Sequence, residues 1–252
     1  MRRLFDCWPQ IALRIRSADS VALFLDFDGT LAGIKATPGE VQLSPPMRFA
    51  ISRLAVNSRA HVCVISGRKR NDIRERTRLS RVCYLGIHGW DSRLETRLNP
   101  DRMHELKQAR RSLEDSIGNL RGVWIEDKGS ALAIHYRQAD EAESKMAHTS
   151  MQEVLARLNG GFRLLSGKKV WEILPREVGD KGSAVRRELS RLDRRSLPVY
   201  VGDDTTDERA FAALPDGVTI RVGPHSLTRA QYQLRDPAEV RRFLEKLEIE
   251  LS

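Results

Sequence analysis

The 252-residue chain contains no apolar run approaching the ~20 residues that a membrane-spanning helix needs. It also lacks the continuous apolar core of a secretory leader, because Asp6, Pro9 and Gln10 interrupt the basic opening segment. A cytoplasmic protein with no membrane association is therefore expected. Cysteine is scarce: Cys7, Cys63 and Cys83 make an odd number without a CxxC pair, which argues against a disulfide scaffold and a thiolate zinc site. Cys63 and Cys83 lie in apolar runs and are expected to pack as small hydrophobes in a reducing compartment. His61, His88, His104, His135, His148 and His225 show neither HExxH nor any paired spacing, so no zinc site is expected from them either. There is no internal repeat and no low-complexity tract.

What the chain has is positive charge, a net +9. Ten Lys and Arg fall between residues 48 and 81 against only Asp72 and Glu75, and the rest of the chain is close to neutral. A nucleic-acid partner is the first reading of such a stretch. Single-strand binders interleave aromatic residues with the charge, however, and Phe49 is the one aromatic here. A solvated helix face is the better reading, and no nucleic acid is expected.

Consecutive apolar positions mark buried strands at 21–25, 62–65, 82–85, 199–201 and 218–222. Helical patterns separate them, opening at Pro45-Pro46, near Asn71 and at Lys181. Strands alternating with helices predict an α/β fold: a doubly wound parallel sheet binding its ligand at the carboxyl ends of the strands. Between Asn99-Pro100 and Leu174-Pro175 the order changes to helix (101–118), strand pair (123–127 and 131–137), helix (141–158), strand pair (162–165 and 169–174). That order predicts an inserted α+β cap with an antiparallel sheet, Trp124 and Trp171 contributing to its core. The expected boundaries are 1–98 and 176–252 for the core and 99–175 for the cap.

The chemistry concentrates at strand ends. Asp26-Phe27-Asp28-Gly29-Thr30 follows the first buried strand, and two carboxylates there are costly to bury without a cation or anion partner. Residues i and i+2 of a strand point the same way, which leaves one aspartate free to attack and a second free to trade protons. Asp203, Asp204, Asp207 and Glu208 follow another strand, and so many carboxylates in six positions suit a hard cation such as Mg2+. Ser66-Gly67-Arg68 and Gly179-Asp180-Lys181-Gly182 bring a hydroxyl, backbone donors and an ammonium to helix starts, where a phosphoryl group binds well. The segment 161–169 has glycine and lysine at superficially P-loop-like positions but the wrong spacing, and reads as a hairpin.

The set DFDGT, SGR, GDKG and GDDTTD resembles the haloacid dehalogenase superfamily of phosphotransferases, in the subgroup with an inserted α+β cap. More narrowly, the segments 86–90, 126–129, 135–137, 168–173 and 202–208 resemble trehalose-6-phosphate phosphatases. Ile87 and Asp91 stand where that family's pattern has Asn and Glu. The resemblance implies an enzyme of trehalose biosynthesis that hydrolyses trehalose 6-phosphate through an aspartyl-phosphate. In it Asp26 is the nucleophile, Asp28 the general acid and base, and Ser66 and Lys181 hold the phosphoryl oxygens. It implies Mg2+ bound by Asp26, the Asp28 carbonyl and Asp203, with Asp204 or Asp207 alongside. It places Arg68 and His88 near the substrate and Glu126, Lys128, Arg137, Lys168 and Glu172 on the glucose hydroxyls. The implied partner is a small sugar phosphate bound by a monomer or weak dimer. The alternative within the fold is another substrate, such as sucrose phosphate or a mannosyl or glucosyl phosphoglycerate.

Overall fold

Leu23 and Leu25 point to one face of their strand and Ala22 and Phe24 to the other, and all four are buried. A strand with two buried faces must be covered on both sides, and the structure, a computed structural model, covers it. The residues described are 1–35, 37–92, 98–158, 160–193, 195–224 and 227–252, so His225 lies outside them. The chain divides into two compact units, Met1–Arg93 with Gly179–Ser252 and, inserted between them, Leu94–Val178.

The larger unit begins with β1 (Arg2–Arg3), α1 (Trp8–Ser17), β2 (Ser20–Leu25), α2 (Pro45–Val56), β3 (Ala60–Ile65), α3 (Arg70–Thr77) and β4 (Cys83–Leu85). The inserted unit comprises α4 (Pro100–Ile117), β5 (Trp124–Asp127), β6 (Leu132–His135), α5 (Glu141–Arg157), β7 (Phe162–Gly167) and β8 (Val170–Pro175). The larger unit resumes with α6 (Lys181–Leu189), β9 (Ser196–Gly202), α7 (Glu208–Ala213), β10 (Val218–Val222), β11 (Tyr232–Leu234) and α8 (Pro237–Leu251).

Seven strands of the larger unit form a parallel sheet in the order β1-β11-β10-β9-β2-β3-β4. Apolar side chains of α1, α2, α3 and α8 pack on one face, and those of α6 and α7 on the other. From β2 the chain winds outward through β3 to β4; after the insertion it returns to β9 and winds the other way through β10 to β11. The order therefore reverses between β2 and β9, and a crevice at the carboxyl ends of that pair is where this class of sheet binds ligands.

In the inserted unit, β5-β6-β8-β7 form an antiparallel sheet. Leu106, Ala109, Leu113 and Ile117 of α4 are buried, as are Ala147, Met151 and Val154 of α5. Asn99 caps α4 by accepting from Arg102 N, and Asp140 with Glu143 forms a capping box on α5.

One expectation needs correcting. Trp171 is buried and stacks on Tyr136, but Trp124 is 44% exposed and stacks on His135 with the ring centroids 3.9 Å apart. An edge strand leaves one face of its side chains outside the core. Cys63 and Cys83 both pack on one face of the sheet as expected, and interaction with Cys63 and with His61 brings the Cys83 thiol down to about 6, against the effect of burial. Part of the basic stretch makes contacts within the fold. Arg48 donates to the carbonyls of Thr77 and Leu43, Arg59 to those of Ile15, Arg16 and Ala18, and Arg53 pairs with Glu248. Among the described residues no helix is long and apolar enough to cross a membrane.

Candidate active site

Asp26 lies one residue beyond the end of β2, and Asp203 one residue beyond the end of β9. Because these strands are paired in register, Leu25 opposite Val201, their ends coincide and the two carboxylates converge. Asp207 follows in a short turn of helix at Thr205–Asp207. Carboxylate oxygens of Asp26, Asp203 and Asp207 lie within 4.8 Å of one another, and all three residues are buried.

A cation of the chain itself, Lys181, enters this group. Lys181, the first residue of α6, donates from Nζ to Asp26 Oδ1 and to Asp207 Oδ1, each at 2.7 Å. Burial alone would favour the neutral amine, but Asp207 and Asp26 outweigh it and hold the ammonium. Burial pushes the Asp26 carboxyl well above its usual range; Lys181 opposes the shift while Asp207 and Asp203 add to it. Three carboxylates against one ammonium leave room for further positive charge, and oxygen donors alone suit a hard divalent ion. The backbone keeps the same space open. Gly29 has φ +85°, which favours glycine, and a Cβ there would overlap the Asp203 carboxylate.

Asp207 differs from the other two. Its Oδ1 also accepts from the Tyr200 hydroxyl at 2.7 Å and its Oδ2 from Asp204 N at 2.8 Å. Both oxygens are thus committed to donors, and its geometry is that of an anchor for Lys181. Thr30 Oγ1 donates to Asp203 Oδ1 at 3.5 Å.

Asp28 faces Arg68, which donates to both of its oxygens at 2.7 Å. Asp72 holds the other side of that guanidinium at 3.0 Å, and Phe27 lies beneath it. Arg68 is kept charged by Asp28 and Asp72 in spite of its burial. Ser66, just past the end of β3, accepts at Oγ from Arg68 N, and its carbonyl accepts from His88 N. His88 is buried on a left-handed turn with Ile87 (φ 56° and 47°). A β-branched residue enters that region less easily than Asn does, so Ile87 carries backbone strain there. Asp91, in the Glu position, accepts from Arg70 N at 2.7 Å.

In the inserted unit, Lys128 and Glu172 form a buried ion pair, and Glu126 Oε2 lies 2.9 Å from His135 Nε2. Burial works against the Glu126 carboxylate, yet His135 and Lys128 bring its pKa below the usual value. Arg137 is held apart from this pair of contacts, donating to the Lys168 carbonyl at 2.8 Å. Of the residues named from sequence, then, the structure gathers Asp26, Asp203, Asp207 and Lys181, joins Asp28 to Arg68, and groups Glu126, Lys128 and Glu172. Sequence reasoning missed Tyr200, Asp72 and His135. Tyr200 was hidden because an apolar run reveals burial but not a hydroxyl's partner.

A buried carboxylate beside a lysine, further carboxylates that could hold a cation, and a second aspartate two residues on suit phosphoryl transfer. Comparison with known proteins agrees. The trehalose-phosphatase family profile matches residues 24–237. The chain is 30% identical to a protein of Oryza sativa subsp. japonica described as probable trehalose-phosphate phosphatase 3, over 95% of this chain and 72% of the relative. It is 33% identical to a trehalose-phosphate phosphatase of Mycobacterium marinum, over 92% of this chain, and spans 62% of that relative's length. The C-terminal domain of C. albicans trehalose-6-phosphate phosphatase shares the fold with a TM-score of 0.81 at 22% identity, covering 95% of this chain and 96% of that one. With its carboxylates at the switch point of a parallel sheet and a profile match across most of its length, the chain belongs to the trehalose-phosphatase family of enzymes.

Proposed function

We propose that this chain hydrolyses trehalose 6-phosphate to trehalose and phosphate, with Asp26 as nucleophile and Mg2+ as cofactor. The observation that carries the reading is the Lys181 bridge between Asp26 and Asp207 beside Asp203. Asp26 Oδ attacks phosphorus, the sugar oxygen leaves, and water then cleaves the aspartyl-phosphate. Lys181 and Ser66 hold the phosphoryl oxygens, whose charge needs preorganised donors. Asp28 protonates the departing sugar oxygen and later takes a proton from water. Since both its oxygens accept from Arg68, it reaches the leaving oxygen only after one of those bonds is given up. Asp26 and Asp203 with the Asp28 carbonyl would hold Mg2+, while Asp207 fixes Lys181. When bound, Mg2+ neutralises charge on the carboxylates and on the phosphoryl group. In the inserted unit Glu126, Lys128 and Glu172, with Arg137 and Lys168, read the sugar: hydroxyls donate and accept, and this set offers both.

Phosphate release from a panel of trehalose 6-phosphate, sucrose 6-phosphate, mannosyl phosphoglycerate and p-nitrophenyl phosphate tests the proposal. Trehalose 6-phosphate should be preferred by at least about a hundredfold in kcat/KM, with activity lost on chelation and in Asp26→Asn. Preference for another sugar phosphate would overturn the substrate; full activity in Asp26→Asn would overturn the mechanism.

A further inference from the structure

Away from the aspartates, a second set of ligand-bearing side chains comes together. His61 and Cys63 are two residues apart on β3 and share a face of the sheet. Parallel register sets Cys63 opposite Cys83 of β4, and the helix covering that face, α6, brings Glu188 from its last turn. A ring nitrogen of His61, Sγ of Cys83 and a carboxylate oxygen of Glu188 lie within 4.8 Å of one another.

The details favour an ion. Nε2 of His61 is buried without a hydrogen-bond partner, a costly condition for a polar atom. Cys83 Sγ lies 3.8 Å from Glu188 Oε2, while Oε1 of the same carboxylate accepts from Arg191 Nη1 at 2.6 Å and is fixed by it. Ligand atoms around a tetrahedral zinc ion stand about 3.5 Å apart, so a small contraction completes three sides of such a site. His61 and Cys83 are only half-buried, which leaves an approach for the ion and a place for water. The mixed nitrogen, sulfur and oxygen set differs in kind from the all-oxygen aspartate group, which suits Mg2+. We propose that His61, Cys83 and Glu188 form a second cation site, selective for a thiophilic divalent ion such as Zn2+ over Mg2+. Cys83 binds as the thiolate, any remaining thiol proton leaving to solvent, and the ion ties β3, β4 and α6 together.

Cobalt(II) added to the metal-free full chain reads this site directly, because sulfur-to-cobalt charge-transfer absorption cannot arise from the aspartates. The band should appear, be quenched by Zn2+ and persist in excess Mg2+. It should vanish in Cys83→Ser, weaken about tenfold or more in apparent affinity in His61→Ala and Glu188→Gln, and remain in Asp203→Asn. Zn2+ should also raise the melting temperature of the wild-type chain and shield Cys83 from alkylation located by peptide mapping. These wild-type readouts hold even where a variant folds poorly. Absence of the band with unchanged Cys83 alkylation, or a band that survives in folded Cys83→Ser, would overturn the proposal.

Discussion

Asp26 is buried where both desolvation and neighbouring carboxylates disfavour its charge, and Lys181 offsets only part of this. Without a cation, the folded chain therefore binds the Asp26 proton more tightly than the unfolded chain does, whose carboxyl titrates near pH 4. Stability of the metal-free protein then falls as pH rises from about 4 toward the folded value. Asparagine cannot ionise, so Asp26→Asn should melt higher than wild type near neutral pH in chelator, by a few degrees, and the gain should shrink as pH falls toward about 4; at this size ~2–4 °C corresponds to 1 kcal/mol. Melting curves across pH check this. A variant that melts lower at every pH would mean that the bond from Lys181 stabilises more than the crowding costs. The aspartates were legible because acids immediately after apolar strands have few structural uses. Their division of labour was not: nothing in Asp203-Asp204-Thr205-Thr206-Asp207 tells which carboxylate is spent on Tyr200 and Lys181.

Among the elements, strands with two buried faces were the clearest in sequence, since β2, β3, β9 and β10 need no periodicity to be recognised. The opening helix was obscured by Pro9, which reads as an interruption yet occupies the first turn of α1, where a missing N–H costs nothing. The sequence reading assigns nothing to 237–251, although Val240, Phe243, Leu244, Leu247 and Leu251 recur at helical spacing and are buried. Three-residue β11 carries too little pattern for any reading. The turn after β2 makes a sharper test. Gly29→Ala forces a side chain into both a left-handed conformation and the Asp203 carboxylate. It should raise the Mg2+ concentration for half-maximal activity and cut kcat/KM at least about tenfold, an effect of ~1.4 kcal/mol on the transition state. Unchanged Mg2+ dependence would mean that Asp203 does not hold the ion.

On the scale of the whole molecule, the larger unit is built for chemistry and the inserted unit carries the Lys128–Glu172 pair that sequence reading assigned to sugar. Lys128→Met strands a buried carboxylate and should cost about 3–5 kcal/mol in denaturant unfolding, while Lys128→Met with Glu172→Leu should recover most of it. If the pair recognises the sugar, that stable double variant still loses about ten- to a hundredfold on trehalose 6-phosphate and little on p-nitrophenyl phosphate. Equal losses on both would leave the pair a purely architectural role. The pairing of β2 with β9 has a consequence for how the enzyme comes into being. Ser20 pairs with Ser196, so Asp26 and Asp203 meet only when a ladder of very long sequence separation closes. A growing chain emerging from the ribosome cannot be active until most of its length has been made. Closing so long a loop is less of a burden than it looks. The inserted unit is roughly half of the intervening chain, and prior folding of it shortens the effective loop about twofold, a difference of only ~0.6 kcal/mol. The core can thus accept an inserted unit of different size or sequence at little thermodynamic penalty, leaving selection free to reshape that unit while the aspartates stay where the sheet puts them.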